Sequence, residues 1–429
     1  MKRTTLWVLL CSMACTVAMA QHAHNDSIHP SVVIESNHHN NAQHNSYEVM
    51  KAMYEANGLH FQDPRAPRFL FLDRKGRVAL GIGGYVKATM SVGMAGIANN
   101  IDFVTATIPT PAQANMRNQF MMDASTSRVF LKLVGRNNIV GNFTIYLESD
   151  FRGSASSYFA MRLRQAYVQL WNIKVGRSWS TFCDVAAIQP TIDFQGPSGA
   201  SLTMNLMVQY SKQFGPHWEM AVAVETPSAT YTTRNIYNDA IKQRVPDVPA
   251  YVQFNWREGK SHIRLSGLFR ALSYRNLVSD KNQFAIGWAG QLSSVIQLAS
   301  HWTLYSQLSY GRGYASYLND LGGYGYDLVP DERNGAMTAP YALGIANGVQ
   351  YTLKPGLFFS VGYSQCRLFD TPTLPASSYH YGQYLAVNAF WSPFPNCQVG
   401  IEYLYGNRHN TNNESGSAHR INAMIQYNF

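Results

Sequence analysis

The chain ends with Arg420-Ile421-Asn422-Ala423-Met424-Ile425-Gln426-Tyr427-Asn428-Phe429, ten residues in which apolar side chains occupy every second position. Successive side chains of a β-strand point to opposite faces, so this period of two predicts a strand with two unlike faces. One face carries Ile421, Ala423, Ile425, Tyr427 and Phe429, and the other is mostly polar. The predicted strand continues to the last residue, an aromatic one.

This aromatic carboxyl terminus resembles the signal by which barrels of the Gram-negative outer membrane are recognised for insertion, which implies that barrel-assembly machinery binds through Phe429. Composition favours a surface facing outer-membrane lipid: 14% of residues are charged, against about 25% in soluble globular proteins. Past residue 20, no run of 18 apolar residues predicts a transmembrane helix. A closed barrel is the other structure that satisfies its backbone hydrogen bonds in lipid.

The same alternation recurs upstream and predicts an all-β fold, a transmembrane antiparallel β-barrel of about sixteen strands. The predicted strands are 77–90, 126–135, 141–150, 161–171, 173–178, 203–213, 217–225, 249–257, 261–271, 283–292, 302–312, 342–353, 356–366, 382–391, 397–405 and 420–429. Short turns alternate with long connections, predicted at 91–125, 151–160, 179–202, 226–248, 272–282, 313–341, 367–381 and 406–419. We expect the long loops to be extracellular and the amino terminus periplasmic.

The amino-terminal region differs from the barrel, residues 77–429, in composition. Residues 1–20 have the basic start, apolar run and small-residue cleavage site of a signal peptide; a lipoprotein signal ending at Cys15 is a weaker alternative. Residues 21–76 form a segment rich in histidine and asparagine, with a short helix predicted over 46–57. Such tracts sometimes bind metal, but the irregular spacing of these histidines predicts neither a metal site nor a cofactor.

The third long loop is unusually apolar for a connection, because loops are normally polar surface segments. Between Ser178 and Ala200 it places Asp184 and Asp193 among a set of large apolar residues and prolines: Trp179, Phe182, Val185, Ile188, Pro190, Ile192, Phe194 and Pro197. We expect it to fold into the barrel and narrow the lumen, with both aspartates lining the constriction. The alternative is a packed loop on a soluble β-domain.

Residues between the apolar positions of each strand should face the lumen. By this parity ten bases face inward: Lys87, Arg128, Lys132, Arg162, Arg164, Lys174, Arg257, Arg264, Arg270 and Arg420. The inward acids are Glu148, Asp150, Glu225 and Glu402, so the lumen should be electropositive and prefer anions. Arg177 breaks the parity and is placed at the root of the third loop. Alternatively, Glu148 and Asp150 pair with Arg162 and Arg164.

Other classes of function find no support in the sequence. It contains no nucleophile elbow, phosphate-binding glycine loop or His-Glu metal motif, so we expect no enzymatic activity. No basic cluster interleaved with aromatics predicts nucleic-acid binding. Once the signal peptide is removed, Cys183, Cys366 and Cys397 remain, so at least one is free or paired between chains.

The segments Gly176-Arg177-Ser178-Trp179-Ser180-Thr181-Phe182-Cys183-Asp184 and Gln189-Pro190-Thr191-Ile192-Asp193-Phe194-Gln195-Gly196-Pro197 resemble the DcaP-like outer-membrane porins. The resemblance extends more loosely over residues 81–429. It implies a trimeric sixteen-stranded channel for small, preferentially anionic solutes, with this loop and neighbouring arginines at the constriction. The family's periplasmic coiled coil is replaced here by the histidine-rich tract, which puts amino-terminal trimerisation in doubt.

Two other interpretations stay open. A phosphate-selective porin of the O/P type would share the strands and the basic lumen, but it predicts a denser lysine ladder than Lys132 and Lys174 provide. A structural barrel or adhesin would have a plugged lumen. Which solute is physiological depends on loop conformations that the sequence does not reveal.

Overall fold

A computed structural model gives the fold of most of the chain. It describes residues 32–34, 49–54, 60–64, 66–73, 76–96, 101–111, 113, 116–137, 141–153, 160–234, 236–331, 333–369, 371 and 373–429. The predicted signal peptide and the histidines between residues 22 and 44 lie outside the described residues.

Sixteen long antiparallel strands form one closed barrel, which confirms the predicted fold. They are β1 (Val78–Ala95), β2 (Arg128–Asn137), β3 (Gly141–Gly153), β4 (Ala160–Leu170), β5 (Ile173–Trp179), β6 (Met204–Phe214), β7 (Trp218–Glu225), β8 (Val248–Trp256), β9 (Ser261–Asn276), β10 (Lys281–Gln297), β11 (Trp302–Arg312), β12 (Tyr341–Lys354), β13 (Leu357–Leu368), β14 (Tyr379–Trp391), β15 (Cys397–Asn410) and β16 (Ser415–Asn428). Each pairs with the next, and β16 pairs with β1. Phe429 completes the closure, since its N–H donates to the Gly84 carbonyl at 3.0 Å and its own carbonyl accepts the Gly84 N–H at 2.9 Å.

The wall is apolar outside and polar inside, the reverse of a soluble domain. On β16, the outward Ile425 is 54% exposed whereas the inward Arg420 is 1% exposed. Exposed large apolar side chains recur on the outer face of the other strands, as a surface in contact with lipid requires. The predicted parity of β16 is therefore correct.

Short elements complete the described part of the chain. Residues 49–54 are helical, within the span predicted for a helix. Single 3-10 turns occur at Thr105–Thr107, Val185–Ala187 and Ala315–Tyr317. Short strands outside the sixteen are Val32–Ile34, Phe69–Leu72, Gln119–Asp123, Asn238–Ala240, Val329–Pro330 and Met337–Thr338. Among the described residues, no helix has the length and apolar character needed to cross a membrane.

Two connections predicted to be long are tight turns. Strands β9 and β10 stay paired as far as Asn276 and Lys281, and β15 and β16 as far as His409 and Ser415. Both predictions, 272–282 and 406–419, were wrong because these strands extend beyond the apolar band, where alternation of polarity disappears but backbone pairing continues. The turn predicted at 293–301 is likewise shorter, since β10 runs to Gln297.

The barrel interior is packed with loop residues. The largest buried apolar cluster joins the third long loop, through Phe182, Cys183 and Val185, to inward side chains such as Leu268 and Cys366. Glycines in the wall permit this close approach. A Cβ added at Gly362 would lie 2.0 Å from the Gln189 amide nitrogen, and one at Gly348 would lie 2.5 Å from the Gln189 side chain.

Candidate functional site

The third long loop is fixed by hydrogen bonds to inward side chains on several strands. The Asp184 carboxylate contacts His262 Nε2 at 2.8 Å and accepts a hydrogen bond from the Ser293 hydroxyl at 2.6 Å. Its main-chain carbonyl accepts the Gln307 amide at 2.6 Å. Strands β9, β10 and β11 supply these groups. Burial alone would raise the pKa of Asp184, but Arg264 and His262 hold it below its ordinary value.

Nearer the tip, the loop is bound to β15. The backbone N–H groups of Ile192 and Asp193 each donate to the Glu402 carboxylate at 2.9 Å. The Asp193 carboxylate accepts the Phe103 N–H at 3.2 Å and the Tyr384 hydroxyl at 3.2 Å. Burial raises the pKa of Asp193. The sequence predicted that Asp184 and Asp193 line the constriction. Both are buried, so they hold the loop in place instead of lining open lumen.

The exposed tip of this loop meets a group of arginines. Phe194 is half-buried, and four guanidinium groups surround its ring: the central carbons of Arg152, Arg164, Arg128 and Arg162 lie 4.4, 5.5, 5.7 and 5.8 Å from the ring centre. We call Arg128, Arg152, Arg162 and Arg164 the arginine cluster. Its members come from β2, β3 and β4.

Each arginine of the cluster has a carboxylate partner. Arg162 binds Asp150 through two contacts, of 3.0 and 2.5 Å, and Arg164 Nε binds Glu148 at 2.7 Å. The pairing proposed as an alternative from the sequence is thus the arrangement found. Arg152 forms two contacts with Asp102, of 2.9 and 2.6 Å.

The carboxylates that bind Arg162 and Arg164 are buried beneath the guanidinium groups, whereas Asp102 is as exposed as its partner Arg152. The Arg162 side chain is 39% exposed whereas that of its partner Asp150 is fully buried. Glu148, the partner of Arg164, is also fully buried. At Arg162 the accessible group is therefore positive, although four acids balance the four arginines of the cluster in number.

Residues of the predicted periplasmic segment contact the same region. The Gln62 side-chain amide donates to the Asp193 carbonyl at 2.7 Å, and the Gln62 carbonyl accepts from Arg128 at 2.9 Å. Asp63 forms an ion pair with Arg128 at 3.1 Å. Burial, followed by the charges of Arg128 and Arg164, lowers the pKa of His60 to about 3, so this histidine is neutral at physiological pH. Residues 60–64 therefore border the arginine cluster.

The helix at 49–54 covers the other inward base of β2. Lys132 Nζ donates to the carbonyls of Ala52 and Met53 at 2.8 and 3.1 Å. Val49 and Met53 pack with the inward-facing Val134. Lys132, predicted to line the pore, thus binds the end of this helix.

Several other predicted lumen bases hold the backbone. Lys87 Nζ donates to the Ile192 carbonyl at 3.0 Å, and Arg264 donates to the Cys183 carbonyl at 3.2 Å. Arg177 donates to the carbonyls of Arg164 and Met204, both at 3.1 Å, at the root of the loop as predicted. Arg257 is a correction: it lies at a turn with a φ of 53° and is exposed, because β8 ends at Trp256.

The sequence reasoning missed Arg152 and Asp102. Arg152 follows Asp150 by two positions and has the same inward parity, but strand 141–150 was predicted to end too early. In the described part of the chain, Cys183, Cys366 and Cys397 are free and buried, and no three His, Cys, Asp or Glu side chains cluster to bind a metal.

A closed antiparallel barrel with an apolar outer face, a polar inner face and an internal loop defines an integral β-barrel of the bacterial outer membrane. Residues 77–428 match the family described as the porin subfamily, and the chain belongs to that family. It is an outer-membrane channel protein, as the resemblance to DcaP-like porins had implied. Among curated proteins, none matches this sequence.

Solved structures share the fold. The outer membrane channel DcaP of Acinetobacter baumannii is 22% identical with a TM-score of 0.72, covering 83% of this chain and 98% of its own. An anion-selective porin from Comamonas acidovorans is 12% identical with a TM-score of 0.52, covering 82% of this chain and 100% of its own. OmpT of Vibrio cholerae, folded in vitro, is 12% identical with a TM-score of 0.52, covering 82% and 98%.

Proposed function

We propose that this protein is a porin for passive diffusion of small hydrophilic solutes, with a preference for anions such as small carboxylates. The observation that carries the proposal is the arginine cluster around Phe194, in which the Arg162 guanidinium is partly exposed above a fully buried carboxylate. Guanidinium groups bind carboxylates through paired, charge-assisted hydrogen bonds. The narrowest part of the channel would then favour anions.

Confinement strengthens this preference. An interaction between unit charges worth about 1 kcal/mol in bulk water reaches roughly 4 kcal/mol at the intermediate dielectric near a protein surface. The half-buried Phe194 ring, which the four guanidinium groups surround, excludes water from part of the arginine cluster. A partly exposed guanidinium such as Arg162 thus acts on a passing ion more strongly than it would on an open surface.

The amino-terminal residues support a channel narrowed from both ends. The third loop and residues 60–64 meet through the hydrogen bond of Gln62 to Asp193. We propose that the mature chain begins at Gln21, that its amino-terminal segment lies on the periplasmic side, and that the long loops are extracellular. We also propose a homotrimer without enzymatic activity.

The same contacts favour a second candidate, a plugged barrel of structural function. Residues 60–64 occupy space beside the arginine cluster, and Phe61 packs against the inward rings of Phe358 and Phe390 at 5.9 and 5.0 Å. A barrel closed by this segment would conduct no ions. A phosphate-selective pore would need a ladder of lysines in the lumen. Lys132 is not free to form one, since it binds the 49–54 helix.

Conductance of the purified mature protein in a planar lipid bilayer separates the candidates. Steady openings with a zero-current potential of the anion-selective sign in a KCl gradient are expected for the porin. Silence after verified insertion of the folded barrel would support the plugged barrel. A zero-current potential of the cation-selective sign would overturn the proposed anion preference, but the protein would still be a channel. Weaker block by phosphate than by a small dicarboxylate is expected, and the opposite order would favour a phosphate-selective pore.

A further inference from the structure

A row of basic and aromatic side chains lies on the outer surface of the barrel, at the end that bears the long loops. Its members are in register across β11 to β15: Arg312 pairs with Tyr341, Arg367 with Tyr381, and Tyr381 with His409, while Phe369 N–H donates to the Tyr341 carbonyl. We call Arg312, Tyr341, Phe369, Arg367, Tyr381 and His409 the outer row. All six are partly exposed, on the side of the wall away from the lumen.

Side chains of the outer row stack in two groups, which the backbone hydrogen bond from Phe369 to Tyr341 joins. The Arg312 guanidinium lies 5.7 Å from the Tyr341 ring centre, and that of Arg367 lies 4.9 Å from Phe369 and 5.8 Å from Tyr381. The rings of Tyr381 and His409 stack with their centres 4.4 Å apart. With neighbouring strands about 4.8 Å apart, five strands give the row a width of roughly 19 Å. This is a surface wide enough for a large head group.

Both arginines of the row lack an acidic partner among the described residues. No carboxylate there forms a salt bridge with Arg312 or Arg367, and the Nε of each is shielded without a hydrogen-bond partner. The arginine cluster inside the barrel differs, since each of its members is paired with an acid. Arg275, which also lies at the loop end of the barrel, is paired with Asp280. No carboxylate among the described residues thus neutralises the guanidinium groups of the outer row, and a phosphate could bind there.

We propose that the outer row binds the phosphorylated sugar head group of an outer-leaflet glycolipid. The row lies on the outer face of the wall at the edge of the apolar band, where lipid head groups meet the barrel, so we take its ligand to be a membrane component. Guanidinium groups form forked hydrogen bonds with phosphate, and aromatic side chains at a membrane interface present an apolar face beside a polar head-group region. Sugar rings would pack on Tyr341 and Tyr381 while phosphates bind Arg312 and Arg367. The assignment to the outer leaflet rests on the orientation given under the proposed function.

The unpaired arginines decide which ligand we propose for the outer row. A neutral acyl surface needs no unpaired arginines, and a phospholipid offers phosphate without sugar for the aromatic faces. A second copy of this chain would have to bring acids to the row, and outward-facing acids are scarce on the described strands of the barrel. These occupants become outcomes of the test.

The test titrates the purified full mature protein in detergent with a bisphosphorylated glucosamine glycolipid and follows binding by native mass spectrometry. The Arg312→Gln/Arg367→Gln variant is expected to lose about tenfold in affinity, the effect of removing a charge-assisted contact worth about 1.4 kcal/mol. Arg275→Gln is the matched control and should bind as the wild type does. The dephosphorylated glycolipid should bind both proteins weakly.

Equal affinity of wild type and double variant would overturn the proposal. So would equal binding of phosphatidylglycerol, which would show that the sugar is not recognised, or loss of oligomers with unchanged lipid affinity, which would assign the row to a second copy. If the double variant fails to assemble, Arg367→Lys keeps the charge and removes the fork, and an intermediate loss is expected; unchanged affinity would count against the site. Binding is measured without ion flow, so this result is independent of whether the channel conducts, and the double variant should keep the selectivity of the wild type.

Discussion

The Arg152 guanidinium lies 4.4 Å from the centre of the Phe194 ring, so the tip of the third long loop contacts strand β3, while Glu402 on β15 binds the two residues before the tip. Arg152 is held there by two hydrogen bonds to Asp102, which belongs to the first long loop. Two loops and one strand therefore meet at one ring. Changes at this point should affect the size and the charge of the channel separately.

Phe194→Ala should widen the channel without changing its charge. The ring is half-buried and stands in front of the arginine cluster, so its removal should raise single-channel conductance by roughly half or more while the anion preference decreases, because ions pass farther from the arginines. Single-channel recording measures both. Phe284→Ala, on the lipid-facing surface, is the control. Unchanged conductance in an assembled Phe194→Ala barrel would remove this ring from the constriction.

Asp63→Asn should increase anion preference. The substitution removes the ion pair with Arg128, whose remaining acidic neighbour Glu148 is 3.6 Å away, so more of the arginine's positive charge acts on the lumen. The Gln62 carbonyl still accepts from Arg128 and should keep residues 60–64 in place. Zero-current potentials measure the change. Asp73→Asn, in an exposed turn, should have no effect. A shift toward cations in Asp63→Asn would contradict the placement of this segment.

The contribution of the Asp320 carboxyl to stability should fall as pH rises from 4 to 7. Burial raises the pKa of the Asp320 carboxyl to about 6, although it accepts hydrogen bonds from Thr105 and Tyr379. Since the pKa of an unfolded aspartate is about 3.9, the protonated form favours the folded state; this contribution, at most roughly 3 kcal/mol, is complete below about pH 4 and is lost as pH rises through 6. The melting temperature of the wild type in detergent, minus that of Asp320→Asn, should therefore decrease as pH rises from 4 to 7. Asp331→Asn, exposed on the same loop, should keep the pH dependence of the wild-type melting temperature. The same pH dependence in both variants would contradict the role given to Asp320.

Phe429→Asp should lower the amount of assembled barrel in the outer membrane while export continues. Phe429 pairs with Gly84 at the seam where β16 meets β1, and a charged terminus also departs from the insertion signal. Heat-modifiable migration on gels measures folded barrel. Phe394→Asp, in the exposed turn between β14 and β15, controls for a new charge near the same end. Normal assembly of Phe429→Asp would refute the role given to this residue.

The strands were predictable because the two environments of each strand fix the polarity of its alternate residues. The alternation around Ile425 follows directly from lipid on one side and polar interior on the other, and it also placed Arg162 and Arg164 correctly on the inner face. Strand ends were less predictable, since a strand such as β9 continues to pair beyond the lipid, where both faces become polar.

The pairing inside the barrel was only partly predictable. Adjacent strands suggested that Asp150 meets Arg162, but contacts between distant segments leave no periodic signal. The ion pair of Arg128 with Asp63 spans 65 positions, and the hydrogen bond of Gln62 to the Asp193 carbonyl spans 131. A count of inward bases against acids on the strands therefore predicted a positive lumen without the acids brought by loops and by the amino-terminal segment.

The most direct test of the account is the zero-current potential of Arg152→Gln/Arg162→Gln in a KCl gradient. Both arginines border Phe194, and their loss leaves Asp102 and Asp150 without their principal partners. Lys212→Gln, on the lipid-facing surface of β6, removes a positive charge without touching the lumen. Low salt keeps screening weak, because charges act over only about 10 Å at 0.1 M. If the arginine cluster sets selectivity, the double variant should assemble and its zero-current potential should move from the anion-selective toward the cation-selective sign. The potential of Lys212→Gln should match that of the wild type. An assembled double variant with the wild-type potential would contradict the claim that the arginine cluster sets selectivity.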